Sequence, residues 1–486
     1  MIARLLLAAL AMVAFAARLC WLARIPEPFG TDGYYYVVQV EHLLAEGRPH
    51  VPDASWVLRL LAGCTALVDS PILGVKIGAA LLAAAAVPAA FLVGRSIARS
   101  RSARGEPEAW ALALWAAASP ALSHLAAEFP KSLGAAAPLL LALAIALQRP
   151  EGLRGAAALA AALLLAATAH RIGAGITAVA LGGACLAWLL RRSTTTEARR
   201  MIAACTAALA VLGVATSVLP GLIHLHDLER LRIDPSPHLP APWGPGFWHL
   251  SLAERFEIAL AWPVLLAGMV AFVRRPAQRT ALGALLAPLV LALLPFWRSG
   301  VSEAGYRLSL AAPMIAAPLL ALAWPSAVLR IPSRAVAAVA IACGAVSPFL
   351  ARAGIDTRLN PPYAHYRALI TSLPEWPALL IAHQGLSFLY GHLTWREAMH
   401  WAPESSLDRR TIGRIAWGIR PGEWIEYGVI APAPVPLDPD YTYVREDVWE
   451  ALAAGARAAQ DDDLLDRIAD WRNPSQMRPA SLLRNR

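Results

Sequence analysis

Asp32 stands alone in front of three tyrosines, in the stretch PFGTDGYYYVVQVEHLLAEGRPH. Two chemistries fit it. A carboxylate ahead of an amphipathic run is a helix N-cap, and Tyr36, Val40, Leu43 and Leu44 form one helical stripe that Gly47 can stop. The same carboxylate, oriented by that helix start, can accept a proton from an attacking hydroxyl. The two readings are compatible. As a surface helix on a bilayer, the stretch would lay Tyr34, Tyr35 and Tyr36 at headgroup depth.

The turn AAEFPKSLG sets Glu128 three residues before Lys131, across Phe129 and Pro130. As plain surface, the acid pairs with the lysine, Pro130 breaks the helix and Lys131 reaches headgroups. As a site, the turn suits a divalent cation and a phosphate held together. Further cations recur in short connections: His170 and Arg171 in AHRIG, Arg298 and Arg307 in WRSGVSEAGYRLSL. Each arginine taken singly reads as a membrane-edge anchor. Together they present positive charge repeatedly at the level of a lipid phosphate. His224, His226 and Asp227, in a segment rich in Pro and Trp, read as metal ligands, as a loop lying on the membrane or as a lid. Asp461, Asp462 and Asp463 point in different directions on a helix and read as a solvated charge run.

These residues need a frame to hold them, and composition identifies it. Of 486 residues, 57% are hydrophobic and 16% charged, with a mean hydropathy of +0.49. That is a polytopic membrane protein. Apolar runs near 5–22, 72–94, 110–126, 133–148, 155–170, 173–190, 201–220, 256–273, 280–297, 308–324 and 335–350 make about eleven transmembrane helices. The first run could also be a cleaved signal, but its length matches a bilayer crossing.

Arginines cluster after every even-numbered run: Arg95 and Arg99, Arg149 and Arg154, Arg191 and Arg192, Arg274 and Arg275, Arg330 and Arg334. The positive-inside rule then puts the N-terminus in the cytoplasm and Asp32, Glu128 and the other candidate residues outside. The net charge of +9 is explained by orientation, so no nucleic-acid partner is expected. The five cysteines lie mostly in apolar runs without metal-like spacing and read as small core residues. Residues 1–350 are expected to form the membrane domain, with a first outer loop at 23–71. Residues 351–486 are expected to form a small extracytoplasmic α/β domain, in which PALLIAHQGL reads as a strand entering a turn.

One span, a large loop opening on Asp32 before a surface helix, a second acid at Glu128 and a soluble C-terminal domain resemble the GT-C superfamily of polyprenyl-phosphate-dependent glycosyltransferases. TDGYYY looks most like the first loop of oligosaccharyltransferase catalytic subunits. Protein O-mannosyltransferases and aminoarabinose transferases are more distant by this measure. The resemblance implies that Asp32 engages the acceptor or a divalent cation, Mg or Mn, which Glu128 can share. Lys131, Arg298 and Arg307 match the donor-phosphate ligands by topology, and His170 and Arg171 add to them. Two departures count: the WWD signature is absent, and Asp32-Gly33 replaces the paired Asp-Glu of the O-mannosyltransferase loop. The acceptor implied is therefore a lipid, glycan or other cell-envelope molecule more than a peptide.

The expected function is transfer of a sugar from a polyprenyl phosphate or pyrophosphate to such an acceptor, outside the plasma (inner) membrane and with inversion. A polytopic transporter or lipid flippase is the alternative. It is disfavoured because charges sit at the ends of the apolar runs and no half-to-half symmetry is visible.

Overall fold

The computed structural model describes residues 2–30, 32–51, 53–100, 106–148, 152–190, 251–293 and 303–323. In the last third it describes Tyr363, Arg367, 379–382, 384–394, 399–400, 427–430, 442–444 and Arg457. The apolar runs expected at 201–220 and 335–350 lie outside the described residues, as do His224, His226, Asp227 and Asp461 to Asp463. The chain divides into two compact units, Met1–Pro26 with Val40–Arg358, and Glu27–Gln39 with Leu359–Arg486.

The first unit is helical. Its elements are α1 (Ile2–Leu22), the C-terminal part of α2 (Gly33–Glu46), α3 (Trp56–Val68), α4 (Pro71–Ser100), α5 (Glu106–Ala118), α6 (Pro120–Glu128), α7 (Pro130–Gly134) and α8 (Ala136–Leu147). They continue with α9 (Gly152–Ala169), α10 (Arg171–Leu190), α11 (Leu252–Arg274), α12 (Arg279–Leu293) and α13 (Glu303–Ala323). Among the described residues, four helical stretches are long and apolar enough to cross a membrane: Ile2–Leu22, Pro71–Arg99, Pro130–Leu147 and Leu252–Arg274. Large apolar side chains such as Leu5, Met12, Leu186, Phe256, Leu266 and Val273 are exposed. A bilayer, unlike water, does not penalise that exposure.

α4 packs against α1, α3, α5 and α8, while α11, α12 and α13 pack on one another and α10 packs on α12. Small residues permit the close approaches, as in membrane bundles generally. A Cβ on Gly183 would stand 2.3 Å from the Gly283 carbonyl oxygen, and one on Gly283 would stand 2.6 Å from that of Gly183. Lys76, buried within α4, donates to the carbonyls of Ile25 (2.5 Å) and Pro26 (3.3 Å), so the chain leaving α1 is tied down where its helix ends.

Two departures from the sequence expectation have clear causes. The run at 110–126 is two helices, because Pro120 has no N–H with which to continue α5. The connection at 23–71 contains a second helix, α3, whose N-cap Ser55 accepts from the Val57 N–H.

The second unit joins the first-loop segment to C-terminal residues. Strands β1 (Leu379–Ala382), β2 (Met399–His400), β3 (Tyr427–Ile430) and β4 (Thr442–Val444) form a sheet in the order β2-β1-β3-β4. β1 runs parallel to β2 and antiparallel to β3, with Leu379 opposite Ile430. α14 (Gln384–Thr394) follows β1, where the sequence suggested only a turn.

The tyrosines after Asp32 serve this unit. Tyr34 and Tyr36 are buried. Tyr34 packs edge-on against Tyr363 at 4.9 Å and beside His392 at 5.2 Å, and Tyr35 packs against Phe388 at 5.1 Å. Arg367 grips Glu27 with two parallel hydrogen bonds of 3.0 and 3.1 Å and donates to the Tyr34 hydroxyl at 2.7 Å. Tyr34 in turn donates to Glu27.

Burial pushes the Glu27 carboxyl up, but the hydrogen bonds from Arg367 and Tyr34 and the Arg367 charge outweigh it and hold the group below its usual range. A carboxylate depressed in the folded state stabilises at pH above its unfolded pKa, and that stabilisation is lost as pH falls through the folded value. Hydrogen-exchange protection of residues 27–39 should hold from neutral pH to about 5 and fall below about 4. Arg367→Ala should remove both the protection and its acid dependence. Equal protection factors in the wild type at neutral pH and at about pH 3 would contradict this role for Glu27.

Candidate functional site

The break between α5 and α6 decides where the second acid lies. Pro120 leaves the Ala116 carbonyl without its usual donor, and Arg18, fully buried in α1, supplies one at 2.9 Å. Arg18 also donates to Ser123 Oγ at 3.2 Å. On the other side of the break the Ala121 N–H donates to Glu257 Oε2 at 2.8 Å. Glu257 Oε1 takes hydrogen bonds from Ser119 Oγ at 2.7 Å and Trp115 Nε1 at 2.8 Å. Ser119 caps α6 by accepting from the Leu122 N–H.

α6 thus placed carries His124 and, one turn on, Glu128. Nε2 of His124 lies 3.2 Å from Glu128 Oε2, and Nδ1 lies 2.9 Å from Glu254 Oε1. His124 and Glu254 are fully buried and Glu128 nearly so. Glu128 does not form the surface pair with Lys131 that the sequence suggested.

Lys131 turns instead to Asp53, with Nζ 2.5 Å from Oδ2. The other oxygen, Asp53 Oδ1, accepts from the Ser55 N–H at 2.9 Å, and Ser55 Oγ donates to the Ala169 carbonyl at 2.5 Å. Trp56 Nε1 donates to the Leu165 carbonyl at 2.9 Å. The segment ahead of α3 is therefore pinned between α7 and the end of α9.

His170 follows α9 and starts α10. Its Nδ1 accepts from the Ile172 N–H at 3.3 Å, which assigns the proton of the neutral ring to Nε2. Ser132 Oγ lies 3.2 Å from the same Nδ1. Arg307, buried in α13, places its guanidinium carbon 4.2 Å from the centre of the Phe129 ring, a cation–π contact with the residue directly after Glu128.

The EFPK turn thus has Glu128, Lys131, His170 and Arg307 around it, all in the first unit. Arg298 lies outside the described residues, and of Arg171 only the helical backbone is described. Asp32 belongs to the second unit. It is buried, and its carbonyl accepts from the Tyr36 N–H at 3.4 Å, which places it at the N-cap position of α2. Gly33 follows it of necessity, since a Cβ there would stand 2.8 Å from Cβ of Pro28.

Sequence reasoning missed Arg18, Asp53, His124, Glu254 and Glu257. The signal for Glu254 was present: Ser251 and Glu254 have capping-box spacing, and the structure makes both bonds of that box. A divalent cation on Asp32 and Glu128 would draw on residues of different units. Among the described residues, no three His, Cys, Asp or Glu side chains gather as metal ligands.

No protein-family model and no curated protein matches the chain. Solved structures do. An archaeal oligosaccharyltransferase, AglB from Archaeoglobus fulgidus in complex with an inhibitory peptide and a dolichol-phosphate, matches at a TM-score of 0.50 and 14% identity. The match covers 75% of this chain and 57% of that one, so the chain spans a little over half of the archaeal protein's length. ArnT from Cupriavidus metallidurans bound to undecaprenyl phosphate matches at a TM-score of 0.50 and 16% identity, over 84% of this chain and 87% of that one. The chain has the fold of these two proteins.

Proposed function

We propose that the chain is a membrane glycosyltransferase that moves a sugar from a polyprenyl phosphate or pyrophosphate to a cell-envelope acceptor on the extracytoplasmic face, with inversion. One observation carries the reading: in a chain with the GT-C fold, the EFPK turn has Glu128, Lys131, His170 and Arg307 around it. The orientation rests on the arginine pattern of the sequence, and about eleven spans remain the proposed count.

The chemistry follows from charge. As the bond between the anomeric carbon and the phosphate oxygen breaks, negative charge grows on the phosphate. Lys131 and Arg307 are the cations that stabilise it, with Arg171 and Arg298 as further proposed ligands and the Nε2 proton of His170 as a hydrogen-bond donor. The acceptor hydroxyl attacks the anomeric carbon from the opposite face. Its proton passes to the Asp32 carboxylate, and polyprenyl phosphate leaves. Glu128 lies beside the phosphate ligands and orients the reacting groups. Both ends of such a reaction suit the edge of a bilayer, where the isoprenoid tail stays in lipid and the sugar meets water.

The test uses full-length protein in lipid nanodiscs with a panel of radiolabelled undecaprenyl-phosphate hexoses and pentoses and a cell-envelope extract as acceptor. Label should move into the extract. Asp32→Asn should lower the rate on the order of 10²- to 10⁴-fold while thermal unfolding is unchanged, because it removes a general base and keeps the shape. Lys131→Ala and Arg307→Ala should each weaken binding of undecaprenyl phosphate itself by about tenfold, the scale of one charge-assisted hydrogen bond. Movement of a labelled lipid across sealed vesicles with no covalent product would instead establish transport. Wild-type transfer by Asp32→Asn would remove the role given to that residue.

A further inference from the structure

The first two turns of α11 send two carboxylates, Glu254 and Glu257, toward α6, and they act differently. Glu257 completes the helix break. Glu254 is not needed there: its Oε2 accepts from the Ser251 N–H at 2.7 Å, and its Oε1 faces His124. His124 in turn faces Glu128. A carboxylate, an imidazole and a second carboxylate thus run in a line through the protein interior, joining residues 130 positions apart.

Stability alone does not ask for this line. Burying ionisable groups is costly, and apolar side chains of similar volume generally pack as well or better. Most neighbouring side chains of α6 are apolar, with Ala121, Leu122, Leu125 and Ala126 all buried, and Ser123 among them is bonded to Arg18. What the line provides is orientation. His124 and Glu128 are one turn apart and share a helix face. With Nδ1 engaged by Glu254, the ring cannot turn without losing a buried hydrogen bond, and its Nε2 is aimed at one Glu128 oxygen. Both ring nitrogens are satisfied only when each carries a proton, or when one carboxylate carries it for them.

We propose that His124, oriented by Glu254, is the positioning residue that fixes the Glu128 carboxylate during sugar transfer; this rests on the role given to Glu128 above. His124 touches neither sugar nor phosphate. It acts through Glu128, so its removal misplaces that carboxylate and leaves Lys131 and Arg307 where they are.

Two readouts on full-length protein in nanodiscs test it. The first needs no sugar: Glu128 is labelled with a lipid-soluble carbodiimide and quantified by peptide mass spectrometry. His124→Leu and Glu254→Gln should each raise the labelling rate severalfold, because the carboxylate is released from its donor. The second uses the undecaprenyl-phosphate sugar that turns over in the assay above. His124→Leu should lower kcat on the order of 10- to 100-fold with donor KM within about twofold. His124→Gln, which keeps a donor toward Glu128, should recover part of the loss, and His124→Leu should add nothing to Glu128→Ala. If His124→Leu does not fold, His124→Gln and Glu254→Gln carry both readouts. Unchanged labelling overturns the proposal, and so does wild-type kcat in His124→Leu when Glu128→Ala is inactive. Normal turnover by Glu128→Ala would instead overturn the role of Glu128, and the labelling would still decide whether His124 holds it.

Discussion

A broken helix inside an apolar bundle must find partners for the backbone groups that the break releases, and in this protein that constraint is met with charge. Water is not there to take the Ala116 carbonyl or the Ala121 N–H, and an unpaired group in such surroundings costs several kcal/mol. Arg18 answers the carbonyl and Glu257 the N–H. The two come from α1 and α11, far apart in sequence, so forming α6 in this position requires both helices to be in place. Everything assembled at the EFPK turn depends on that step, because α6 delivers Glu128 and Phe129 directly and Lys131 through Pro130.

A different solution positions the first acid. Asp32 sits in a loop of the second unit and is fixed by its neighbours. Tyr363 donates to the Gly30 carbonyl at 2.7 Å, Gly30 adopts a positive φ of 70°, and the Glu27, Tyr34 and Arg367 triangle closes the loop behind it. An aromatic run after an acid is therefore packing as much as chemistry. The tyrosines buy Asp32 a fixed address by joining residues 27–39 to side chains more than 300 positions later, among them Tyr363 and Arg367.

The apolar helices were legible in the sequence because length and hydropathy alone announce them. The runs at 5–22, 72–94, 173–190 and 256–273 fall on helices, as do residues 155–169, 280–293 and 308–323. The helix start after Asp32 was legible too, since an acid, a stripe and a closing glycine are local signals. The partners were not. Nothing near Arg18 in the sequence says that it reaches Ala116, and nothing near Lys131 names Asp53, because these pairs are made by tertiary packing between distant segments. The partners of the tyrosines were hidden for the same reason: an amphipathic aromatic suits a headgroup layer and a protein interior equally well, and the C-terminal rings it packs against lie far away in sequence.

The pairing of Lys131 with Asp53 sharpens what the turn can do. A lysine bonded to a carboxylate is partly neutralised, so in the proposed reaction an arriving phosphate would share it. That arrangement keeps the ammonium extended and pre-placed, because the alternative for so flexible a stem is to wander among headgroups. Arg307 is held differently: its guanidinium lies over the Phe129 ring. The position of the Lys131 charge is set by Asp53, Ser55 and the end of α9. If the turn binds the donor phosphate as proposed, a lysine held this way meets it with little rearrangement, which is the condition for stabilising charge that develops only as the sugar leaves.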